Sequence, residues 1–222
     1  MNNEFDNNVW SVNDFEAKNE QGQNRVLIGN PTEFKTLYWA ELVIMISFAV
    51  SLALTYFIIA IEFIAITFVI MVIASVVYLV YVMKLKRYSD TFKEAGIYYL
   101  IYFILYLVHN NVGGLLLAVV NIAYFVCLIL YIIKFSDGCM ELLKNRDSEL
   151  ADSWGKYKTF MLFAYAVAVV CELLFYIPGL NMIAAIPFIV IGFFQLACYI
   201  WHIALLNKTD EALRTYRSSR LG

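Results

Sequence analysis

The chain reads as an all-α, polytopic integral membrane protein, with six transmembrane helices in three tight hairpins and both termini in the cytosol. Three observations predict it. Of 222 residues, 62% are hydrophobic and 15% charged, against roughly 45–50% and 25% in soluble domains. Long apolar stretches are separated by short turn signals. All 16 Lys and Arg fall in segments that alternate with turns carrying none.

The elements follow in order. Residues 1–30 are polar, with Asn recurring among acids and Gln, and predict a largely disordered N-terminal tail. They lack the cationic and apolar opening of a signal peptide. Val26-Leu27-Ile28 is too short to matter alone. Asn30-Pro31-Thr32-Glu33 starts a helix, with Asn as N-cap, Pro at N1 and Glu at N3. The apolar run from Thr36 to Met83 carries only Glu41 and Glu62 as charges. As one helix it would be roughly 72 Å long, more than twice the ~30 Å hydrocarbon core. It must turn back, and Glu62 is the expected place, with spans near 37–59 and 63–83.

Four further spans are predicted near 95–109, 115–133, 159–177 and 182–205. Thr91-x-x-Glu94 reads as a capping box before the third. His109-Asn110-Asn111-Val112-Gly113-Gly114 separates spans three and four, and Pro178-Gly179-Leu180-Asn181 separates five and six. The bundle thus covers 31–207. Residues 135–158 form a cytosolic loop with a short helix around Cys139–Asn145, and 208–222 form a cytosolic C-terminal tail.

Charge supports this count. The turns near 60–62, 109–114 and 178–181 contain no Lys or Arg, whereas the termini and the other two connections hold them all. The positive-inside rule then puts both termini in the cytosol of a plasma membrane. Each hairpin also opens with an aromatic and a lysine: Phe34-Lys35, Phe92-Lys93 and Tyr157-Lys158. The expected role of these pairs is interfacial anchoring.

Chemistry-bearing residues are few. Glu172, about 8 Å from the end of the fifth span, has no basic residue at its depth. An acid there is costly unless protonated, paired or facing water. With Asn121, Thr55 and Thr67 at similar depth, it forms a candidate ion or ligand site. Tyr99, Tyr102, Tyr106 and His109 make an aromatic stripe at helical spacing, suited to packing or to a hydrophobic ligand with polar tips. Ser47, Ser51 and Thr55 share a face suited to close helix packing. Glu41, beside Tyr38 and Trp39, is expected to snorkel to the interface. His202 is expected to be structural and Pro187 to kink the sixth span.

The four cysteines form no CxxC pair and predict neither zinc nor disulfide. No metalloprotease, serine-hydrolase or phosphate-loop motif occurs, so neither catalysis nor a cofactor is expected. A net charge of −2 gives no field for nucleic acid. The expected function is a non-catalytic subunit, scaffold or regulator of a membrane complex. Its partners would be the lipid bilayer and proteins docking on 135–158 and the C-terminal tail. The second reading is a small transporter or homo-oligomeric channel for protons or small cations, using Glu172.

Overall fold

A computed structural model describes residues 16–17, 26–27, 32–56, 61–109, 112–175, 177 and 179–221. The side chains of Thr55, Glu62 and Glu172 lie outside the described residues, as do residues 57–60 and the Asn30-Pro31 cap. Six helices are present among the described residues: α1 (Thr32–Tyr56), α2 (Ile61–Lys84), α3 (Asp90–His109), α4 (Gly114–Leu143), α5 (Ser148–Phe175) and α6 (Asn181–Leu221). A 3-10 turn, Leu85–Arg87, joins α2 to α3. Within the tail expected to be disordered, β1 (Glu16–Ala17) and β2 (Val26–Leu27) pair antiparallel.

Five helices carry stretches long and apolar enough to cross a membrane: Glu33–Ser51, Ala65–Arg87, Asp90–His109, Val119–Leu143 and Ala185–Ser219. Their outer faces bear this out. Ile66, Val69, Ile73, Val77 and Val80 on α2, and Ile97, Ile101, Ile104 and Val108 on α3, are exposed at helical spacing. A continuous apolar surface of this kind suits lipid, not water.

Each helix packs against its neighbours in chain order, and α6 returns to α1. The result is a closed ring. One end, called here the turn end, holds the α1–α2, α3–α4 and α5–α6 connections. At the last of these, the Leu180 N–H donates to the Ile177 carbonyl at 3.1 Å. Gly179 follows Pro178 there at φ +88°, a left-handed conformation that glycine adopts without steric cost. The other end carries the basic residues among those described and is called the basic end.

Three boundaries at the basic end and one at the turn end differ from expectation. The loop expected over 135–158 shrinks to the turn 144–147, because α4 continues to Leu143 and α5 begins at Ser148. Apolar periodicity drives both extensions: Phe135, Cys139 and Leu143 on α4, and Leu150, Trp154, Tyr157 and Met161 on α5, are all buried. The Asp147 carboxylate caps α5 by accepting the Leu150 N–H at 2.9 Å. The tail expected over 208–222 is the helical continuation of α6, which buries Thr209 and Asp210. Finally, α3 is capped by Ser89, whose Oγ accepts the Thr91 N–H at 3.1 Å, rather than by a box starting at Thr91. Glu62 lies in the first turn of α2, so the reversal precedes it.

The aromatic residues expected as interfacial anchors point inward instead. Phe34, Phe92 and Tyr157 are 1%, 0% and 2% exposed. They belong to one cluster: Phe34 meets Phe92 at 6.4 Å between ring centroids, Phe92 meets Phe135 at 5.6 Å, Phe135 meets Trp154 at 5.7 Å, and Trp154 meets Tyr157 at 5.6 Å. Gly138 lets the Phe92 ring approach, since a Cβ there would lie 2.9 Å from it. Ion pairs surround this plug: Arg87–Glu33 at 2.9 Å, Lys134–Glu94 at 2.6 Å and Lys158–Asp137 at 2.6 Å. Lys35 donates to Asn207 at 2.8 Å and ties α1 to α6.

Candidate functional site

Toward the turn end from this plug lies a partly open chamber of about 480 Å³ lined by all six helices. Its wall is dominated by tyrosine: Tyr99, Tyr102 and Tyr106 from α3, Tyr124 and Tyr131 from α4, Tyr157 and Tyr165 from α5, and Tyr199 from α6. The rings form a connected set. Tyr99 lies 5.1 Å from Tyr131 and 5.7 Å from Tyr102, and Tyr102 lies 4.8 Å from Tyr124.

Four of these hydroxyls are engaged with one another. Tyr124 donates to Tyr102 at 3.3 Å, and Tyr165 pairs with Tyr199 at 3.0 Å. At the floor, Tyr131 bonds Tyr78, whose hydroxyl also meets His202 Nε2 at 3.2 Å. His202 is 3% exposed, and its Nδ1 has no partner among the described residues. Its ring is held between Phe135 and Trp154.

Among the described residues, one carboxylate lines this chamber. Glu41 lines it together with Ile44, Met45 and Phe48 of α1. It shares this lining with Tyr99, Tyr131, Tyr157 and Tyr199. No Lys or Arg lines the chamber, and among the described residues no side chain hydrogen-bonds Glu41. The snorkelling expected of Glu41 is therefore corrected: Trp39, two residues before it, faces outward at 53% exposure, while Glu41 faces in. A signal for this was in the sequence. Phe34, Leu37, Glu41, Ile44 and Phe48 recur at three- and four-residue spacing, so Glu41 shares a face with the buried Phe34 and Leu37.

The other expected site residues divide. Tyr99, Tyr102 and Tyr106 of the stripe line the chamber, whereas His109 pairs with Asn121 through Nδ1 and Oδ1 at 2.6 Å. Thr67 bonds Ser51 across the α1–α2 hairpin, so Asn121 and Thr67 each have a partner within their own hairpin. The Glu172 and Thr55 side chains lie outside the described residues. Gln195 of α6 lines the chamber with Tyr199 and His202. Among the described residues, no three His, Cys, Asp or Glu side chains gather to hold a metal. All four cysteines are free.

Chemically, the chamber offers a carboxylate without a counter-ion, an imidazole and many ring faces. Comparison with known proteins returned no match: no family model, curated protein or solved structure resembles the chain.

Proposed function

We propose that this is a non-catalytic carrier of a small cationic solute, bound in the central chamber. We further propose six spans in a plasma membrane, with α5 as the sixth and both termini in the cytosol. The chamber with its unpaired Glu41 carries the functional reading, because a scaffold has no use for a polar-floored cavity reached by all six helices. Glu41 takes the role that the sequence suggested for Glu172. The segregation of basic residues to one end supports the orientation.

A second reading draws on a different observation. The basic-end extensions of α4, α5 and α6 form a helical platform with exposed Lys144, Lys156 and Lys208. That surface supports a subunit or scaffold role, with a partner protein docked on 135–158 and the end of α6.

Charge movement separates the two. Proteoliposomes on a solid-supported membrane are switched to protons, sodium, potassium, choline or tetrapropylammonium. At least one cation is expected to give a transient current that empty liposomes and Glu41→Gln lack. No current for any cation would remove the carrier reading and leave the subunit role.

A further inference from the structure

We infer that the chamber's ligand is an organic ammonium ion, seated with its charge against Glu41 and its apolar body against tyrosine ring faces. This names the substrate class of the site proposed above. It rests on the chamber being a binding site, though not on transport.

Charge selects a cation. Glu41 is the one carboxylate on the described lining, and no Lys or Arg accompanies it. A carboxylate withdrawn from water is costly unless it is protonated or a cation pairs with it. A cationic ligand meets that cost while leaving the carboxylate charged, which a neutral ligand does not.

Size selects an organic ion. About 480 Å³ falls within the roughly 300–1,000 Å³ of sites for small organic ligands. A bare metal ion or a proton would leave most of it empty.

The wall selects an alkylated one. Hard metal ions need several oxygens converging on one point. Here the hydroxyls of Tyr102 and Tyr124 bond each other, as do those of Tyr165 and Tyr199. Apart from a few scattered polar groups, Gln195 and the Tyr99 and Tyr157 hydroxyls among them, the rest of the wall is apolar and rich in ring face. Aromatic faces attract cations through their quadrupole, most strongly when the cation is desolvated, and quaternary ammonium groups are well suited to such cages. Tyr99, Tyr102 and Tyr131 present such rings around the cavity that Glu41 enters.

The test is calorimetric titration of the purified full-length protein in detergent. The probes are choline, tetrapropylammonium, sodium, potassium and dimethylbutanol, the neutral carbon isostere of choline. Saturable binding is expected for the two ammonium ions and not for the other three. Glu41→Gln should weaken it about 100-fold or more. Tyr102→Leu should weaken it about ten-fold, while Tyr102→Phe, which keeps the ring, should stay within about two-fold. If Glu41→Gln aggregates, the Tyr102 pair and the isostere still decide. Equal binding of dimethylbutanol, displacement by sodium or potassium, or no saturable ammonium binding would each overturn the inference. Ammonium binding without charge movement would sink the carrier reading alone. Currents confined to protons or inorganic ions would sink the ligand class alone.

Discussion

The basic end and the turn end of the ring are held by different means. At the basic end, Trp154 is 0% exposed and donates its indole N–H to Thr209 at 3.0 Å. Around it, Leu85, Phe92, Phe135, Leu143 and Leu206 are at most 1% exposed. At the turn end, Met182 is 80% exposed and Ile186 71%, and helices are joined by small polar pairs such as Ser51–Thr67 and His109–Asn121. The solvent accounts for the difference. In lipid, apolar side chains gain nothing by leaving their surroundings, so helices associate through packing and hydrogen bonds. α4 and α6, at 30 and 41 residues, are longer than a hydrocarbon core of roughly 30 Å requires; where helices run past it, water restores the drive to bury apolar surface, which suits the plug. The chamber lies where the plug stops.

The comparison can be broken most sharply at Trp154. Trp154→Ala should cost about 3–5 kcal/mol, whereas Met182→Ala should fall within about 0.5 kcal/mol of wild type. Unfolding by sodium dodecyl sulfate in mixed micelles reads both, and equal losses would dissolve the distinction between the ends. A glycine pair gives a smaller contrast. Gly138→Val drives a side chain into the Phe92 ring, which Phe34 and Phe135 hold in place, and should cost about 1–3 kcal/mol. At Gly192, an added Cβ meets nothing within 4 Å, so Gly192→Ala should be neutral or stabilising by up to about 1 kcal/mol.

The smallest effect is in alkali. Tyr88 donates to Glu33 at 2.8 Å and accepts from Arg87 at 2.9 Å. Burial, with the Glu33 carboxylate adding to it, pushes the Tyr88 phenol above its ordinary 10.0. Folding therefore favours the neutral phenol. Its contribution is whole below pH 10 and is lost as pH climbs from 10 toward the raised folded value, by up to about 1.4 kcal/mol per unit. Tyr88→Phe should remove that alkaline loss and leave stability at pH 7 to 9 nearly parallel to wild type. An unchanged alkaline slope would remove Tyr88 as its source.

Hydropathy located the helices but misjudged their ends. The apolar run stops near Leu130–Ile133, and the charges that follow resemble a loop. Helical spacing nevertheless continues through Phe135, Cys139 and Leu143, and resumes after the Asp147 cap. A reading by apolar run length missed what a reading by period would have kept. The aromatic-lysine repeat was visible, but its destination was not. Phe34, Phe92 and Tyr157 belong to hairpins far apart in the chain, and only ring closure brings their cluster together.

The sequence by itself determined the all-helical class, the apolar stretches suited to a membrane and the sorting of charge between segments. These are one-dimensional properties: an apolar run, a turn signal and a lysine mean much the same wherever their neighbours lie. The tertiary structure decided which face of each helix turns inward. Only closure of α6 on α1 gathers tyrosines from four helices into the chamber that Glu41 lines, with no Lys or Arg on its described wall.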